Sequence, residues 1–87
     1  MSLHFPNRSR SYGTTLRAVR FWGHVGAIEA PFFVTEEALK QIQPDVRSDE
    51  VGLLSAFDSH RELIHATASR VYLRGRKSSY ELSPDDF

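Results

Sequence analysis

The sequence predicts an α+β fold, a two-layer sandwich in which an antiparallel sheet of about four strands is covered by one short and one long helix, in the order β-β-β-α-α-β. Three observations carry this expectation. Apolar and polar residues alternate from Leu16 to Trp22 and from Ala27 to Val34, the period of a half-buried strand. Two helix-start signals, Thr35-Glu36-Glu37 and Ser48-Asp49-Glu50, each precede apolar residues at helical spacing. A chain of 87 residues supports one modest core, so residues 1–87 are read as a single domain.

The elements follow in order. Leu3 and Phe5 alternate with His4 as a short strand ended by Pro6 and Asn7. Residues 6–15 are polar apart from Tyr12 and read as a surface loop. In the next strand Val19 and Phe21 share one face, and Ala18, Arg20 and Trp22 the other. Gly23-His24-Val25-Gly26 reads as the hairpin turn, because glycines accept the positive φ that tight connections need. The returning strand places Ile28, Ala30, Phe32 and Val34 on one side and Glu29, Pro31 and Phe33 on the other. Pro31 lacks an N–H for a ladder, which puts this strand at an edge over part of its length or bulges it.

Thr35 caps a first helix, Ala38, Leu39 and Ile42 form its inward stripe, and Pro44 ends it. The second helix is read as continuous from Ser48 to Gly75. On a wheel of about 100° per residue, Leu53, Leu54, Phe57, Ile64, Ala68, Val71 and Tyr72 fall within roughly 60° of Phe57. Gly75 stands where a left-handed C′ residue ends a helix. Tyr80-Glu81-Leu82 forms the last strand.

Composition excludes several classes. Eleven basic and eleven acidic residues balance, which gives no global field toward nucleic acid or membrane. The absence of cysteine removes disulfides and thiolate metal sites. No apolar run is long enough for a signal peptide or a membrane span, so a cytoplasmic location is expected. No phosphate loop, nucleophile elbow or metalloprotease motif is present, and no enzyme activity is expected. Asp58, Ser59 and His60 are consecutive, and adjacent helical side chains do not face one another as a hydrolase triad must. His60 and His65 are five residues apart, roughly 140° on a helix, so they cannot share an ion; no metal site and no cofactor are expected.

Two polar groupings remain. His60 and Arg61 lie on the margins of the apolar stripe, either as a pair that binds a small anion or as an Arg61 that clamps carbonyls of the loop at residues 6–15. Arg8, Arg10, Arg17 and Arg20 precede or enter the second strand, and Arg70, Arg74, Arg76 and Lys77 end the long helix. Arg17, Arg20, Trp22 and Phe33 would form a basic and aromatic sheet surface, suited to single-stranded nucleic acid or to a homodimer contact.

Leu3-x-Phe5-Pro6, Tyr12, Ala18-Val19-Arg20-Phe21, Thr35-Glu36-Glu37-Ala38-Leu39 and Ala56-Phe57-x-x-His60-Arg61-x-x-Ile64 together resemble domain-of-unknown-function family 1488, over nearly the whole chain. The resemblance implies a small bacterial cytoplasmic α+β protein and transfers no activity, cofactor, partner or site. The leading reading is therefore a non-enzymatic interaction or regulatory module whose partner is a second copy of itself or another protein. The alternative is a small nucleic-acid-binding domain using the basic and aromatic face, and the weaker one a small-anion binder at His60 and Arg61.

Overall fold

The computed structural model describes residues 3–6 and 8–87. Strands β1 (Arg10–Gly13), β2 (Ala18–Val25), β3 (Ile28–Thr35) and β4 (Tyr80–Leu82) form one sheet in the order β1-β2-β3-β4. Helices α1 (Glu36–Ile42), α2 (Glu50–Ser59) and α3 (Arg61–Leu73) lie between β3 and β4 in sequence, and a 3₁₀ turn at Pro84–Asp86 follows β4. The fold is α+β, with the helices packed on one face of the sheet.

The β2–β3 hairpin is the centre of the sheet. Its register pairs Val19 with Val34 and Phe21 with Phe32, all buried, and Arg20 with Phe33 on the opposite face. The turn is Gly26-Ala27, shorter than the four residues expected. Gly26 has a φ of 61°, the glycine-first pattern of a type II′ hairpin. Gly23 is a strand residue rather than a turn residue, and its role is space. A Cβ there would stand 2.7 Å from Leu3 Cδ1 and 2.9 Å from Phe5 Cε1, so the missing side chain is what seats the N-terminal segment.

That segment forms a single bridge, His4 with His24, rather than a full strand; Asn7 lies outside the described residues. The first strand is instead Arg10–Gly13, inside the stretch expected to be loop. It is short and polar, and what makes it a strand is the free edge of β2, which pairs Arg10 with Phe21 and Tyr12 with Val19. Tyr12 packs on the core and Arg10 reaches α2, so the strand is amphipathic in a way its composition hides.

Helix starts follow their signals. Thr35 accepts a hydrogen bond from the Ala38 N–H at 3.1 Å, and Asp49 one from the Gly52 N–H at 2.7 Å. The long helix is broken, however. His60, with φ −117° and ψ 24°, ends α2 and precedes α3. The apolar stripe runs from Phe57 to Ile64 across the break, which is why the two helices read as one in the sequence. α3 ends at Leu73 with Arg74 as its cap residue, followed by Gly75 with a φ of 155°.

β4 pairs with β3 in parallel, Phe32 to Tyr80 and Val34 to Leu82, so the sheet is mixed rather than wholly antiparallel. Three helices carry the chain from β3 back to the start of β4, and such a crossover returns a strand in the same direction. Pro31 lies just beyond the three residues of β3 that β4 covers, where the strand has a free edge.

The core joins both layers. Phe21 stacks on Phe32 at 5.3 Å, with Phe57 at 5.1 Å from Phe21 and Tyr80 at 5.0 Å from Phe32. Leu39, Leu53, Ile64, Ala68 and Val71 complete it from the helices. Fully burying each such large side chain contributes about 1.5–3 kcal/mol.

Candidate functional site

The helices leave the other sheet face open. Across it run Ser11, Arg20, Phe33 and Glu81 in one row of opposed residues, Trp22 and Pro31 in the next, and His4, His24 and Glu29 in a third. Strand alternation puts them there, because their neighbours Val19, Phe21, Phe32 and Val34 must face the core. Trp22 and Phe33 are half-buried, and the Arg20 guanidinium carbon sits 5.6 Å from the Trp22 ring and 5.3 Å from the Phe33 ring. Both distances are in the range of cation–π attraction. Arg20, Trp22 and Phe33 are thus one cluster.

Arg17 does not join them. It turns at the end of the sheet to Glu36, its NH2 group donating to Oε1 at 2.8 Å while its carbonyl accepts the Glu36 N–H at 2.9 Å. This double hold keeps Arg17 at a φ of 50°, unusual for a side-chain-bearing residue. Lys40, Arg17 and Glu36 form a local charge cluster, and the hydrogen bond from Lys40 is the main reason the buried Glu36 carboxyl lies below the usual carboxylate range.

The remaining cations are also dispersed. Arg10 grips Asp58 through two hydrogen bonds of 3.0 and 2.8 Å. Arg70 and Arg74 both reach Asp86, at its carbonyl (3.1 Å) and its carboxylate (2.9 Å). Arg10, Arg17 and Arg20, close in sequence, therefore turn to three separate places, while Arg70 and Arg74 meet at Asp86.

At the α2–α3 break, His60 and Arg61 diverge. His60 Nε2 lies 3.1 Å from Gln43 Oε1, tying the break to the end of α1. The Arg61 guanidinium packs over the Phe57 ring at 4.9 Å and donates to Asp58 at 2.7 Å and to the Arg8 carbonyl at 3.2 Å. Asp58, held below its ordinary pKa first by Arg10 and then by Arg61, ties β1 to both helices, and Arg61 adds the loop before β1. The Arg61 side chain is only 10% exposed, and its Nε is the one buried side-chain polar atom without a partner among the described residues. The anion that Arg61 needs is supplied by the protein itself, as Asp58.

His65 stacks on Phe5 at 4.0 Å, and burial, with Arg61 and Arg8 adding to it, lowers its pKa to about 4. Among the described residues, no group of three or more His, Asp or Glu side chains is placed to hold a metal ion, and no helix is long and apolar enough to cross a membrane.

The sequence profile described as "Protein of unknown function (DUF1488)" matches residues 3–83. The chain belongs to the DUF1488 family. A crystal structure of a DUF1488 protein of unknown function from Shewanella loihica PV-4 superposes with a TM-score of 0.81 at 14% identity, covering 93% of this chain and 91% of the other. At that identity the likeness is one of fold, and it extends over both layers of this DUF1488 protein. Comparison with curated proteins gave no match.

Proposed function

We propose that this DUF1488 chain is a non-enzymatic interaction module of the cytoplasm that associates with a second copy of itself through the open sheet face. The observation that supports this reading most is the cluster of Trp22, Phe33 and Pro31 under Arg20 on a face that no helix covers. Aromatic residues and arginine are the types enriched where proteins meet. The charges around them fit a self-contact. One cation, Arg20, shares the face with two anions, Glu29 and Glu81, so a two-fold pairing can set the Arg20 of each copy against a carboxylate of the other.

The size sets the strength. Eight-residue strands are roughly 26 Å long and four strands roughly 19 Å wide, which gives at most about 500 Å² per copy. A total of about 1,000 Å² is at the lower bound of specific interfaces, so the dimer is weak and depends on concentration.

The alternative, single-stranded nucleic acid stacking on Trp22 and Phe33, has the aromatic rings in its favour. Against it stand Glu29 and Glu81 on the same face and the engagement of Arg10, Arg17, Arg70 and Arg74 elsewhere. Light scattering across a concentration series tests the proposal. Mass should rise toward twice that of the chain, and Trp22→Asp should hold the protein monomeric at every concentration. A monomer throughout, combined with salt-sensitive retention on an oligonucleotide column that Trp22→Asp abolishes, would replace self-association with nucleic-acid binding.

A further inference from the structure

We propose that His4 and His24 form a two-histidine site for a transition-metal cation of the Cu²⁺, Ni²⁺ or Zn²⁺ type on the open face of the sheet. The two residues are 20 apart in sequence and become direct cross-strand neighbours only in the fold. His4 donates its N–H to the His24 carbonyl at 3.0 Å and His24 donates to the His4 carbonyl at 2.7 Å. An antiparallel pair that exchanges both bonds has its Cα atoms about 5.5 Å apart and sends both side chains to one face. The two imidazole centroids are 6.3 Å apart, with 39° between the ring planes.

This geometry is close to what a shared ion requires. Metal–nitrogen bonds of about 2.0–2.1 Å at a tetrahedral angle set two imidazole centroids roughly 5 Å apart, so rotations that bring the rings roughly 1 Å closer complete the clamp. Among the described residues neither imidazole makes a side-chain hydrogen bond that such a rotation would break, and His4 is exposed. Their backbones are already fixed. Leu3 and Phe5 pack against the core over the space left by Gly23, which holds His4 beside His24 before any ion arrives.

The surroundings suit a cation as well. Glu29 is opposite His24 on its other side, so a carboxylate ends the row His4, His24, Glu29. It can accept the second N–H of an ion-bound imidazole, the usual supporting contact of a histidine ligand. Imidazole donors favour Cu²⁺ over Ni²⁺ and Zn²⁺ by intrinsic affinity, and two donors alone give a site that is not tight. The proposal needs one chain alone and does not depend on self-association.

Trp22, the single tryptophan, is two residues from His24 on the same face, roughly 7 Å along the strand, and reports the ion directly. The test is a titration of the tag-free full chain, at a concentration where it is monomeric, with Cu²⁺ while Trp22 emission is followed. Saturable quenching at one ion per chain, reversed by a chelator and competed by Zn²⁺, is expected. His4→Ala and His24→Gln should each weaken binding at least tenfold, with unchanged circular dichroism, whereas His60→Ala should not. Quenching without saturation would overturn the proposal. So would loss in His4→Ala with full retention in His24→Gln, which would place the ion on His4 and backbone nitrogens alone.

Discussion

His65 should make this protein sensitive to mild acid. Its ring lies against Phe5, Phe21 and Phe57, with Arg61 and Arg8 adding positive charge, and its pKa falls to about 4. The folded-state value lies below the ordinary value of about 6.5, so in this range the unfolded chain binds the proton more strongly. The stability that the neutral ring contributes is present above about pH 6.5 and is lost as pH falls toward 4. The full shift corresponds to about 2 kcal/mol lost between pH 7 and pH 5, and solvent reaching the half-buried ring reduces this to about 1 kcal/mol. For a domain of this size that is a fall in Tm of about 4–8 °C. The assay is urea unfolding at pH 7 and pH 5, followed by circular dichroism, for the wild type and for His65→Phe, which keeps the stacking and cannot be protonated. The wild type should lose about 1 kcal/mol that His65→Phe retains. Parallel losses in the two proteins would refute the assignment to His65, because the depressed carboxylates Asp58 and Glu36 titrate below this window.

Two further substitutions test the packing. Gly23→Val should displace Leu3 and Phe5, since even a Cβ meets them within 3 Å; about 1–2 kcal/mol of stability should disappear in thermal unfolding, and protease should cut near Phe5. Arg61→Ala should cost about 2 kcal/mol by releasing Asp58 and the Arg8 carbonyl, and Arg61→Lys should not restore it, because an ammonium cannot lie flat on Phe57 while reaching both acceptors. Equal melting temperatures for Arg61→Lys and the wild type would contradict that reading.

What the sequence made legible was whatever depends on neighbours along the chain. The alternation in β2 and β3, the caps at Thr35 and Asp49 and the buried stripe of Leu53, Phe57, Ile64 and Ala68 are local patterns, and all are present in the fold. What it concealed depends on partners far away. Arg10–Gly13 is a strand because β2 has an edge to fill, and Gly23 is required because Leu3 and Phe5 rest on it. Arg8, Arg10, Arg17 and Arg20 lie close in sequence, but the fold directs the Arg10, Arg17 and Arg20 side chains to three separate places. The break at His60 was not legible, because the apolar stripe runs on from Phe57 to Ile64 across it, whereas the clamp of Arg61 on a loop carbonyl was one of the two readings the sequence allowed for it, and Arg8 supplies that carbonyl. The His4–His24 pair could not be read without knowing which strands meet.

Trp22 also offers the most direct test of the central claim, that the open sheet face is where one copy meets another. Its emission maximum and its quenching by acrylamide should be measured from low micromolar to millimolar protein, alongside the mass. Emission should shift to the blue and quenching should weaken in step with the rise in mass, because the indole passes from a half-buried to a buried setting. A mass that doubles while Trp22 emission and quenching stay constant would contradict it, by placing the contact on another surface.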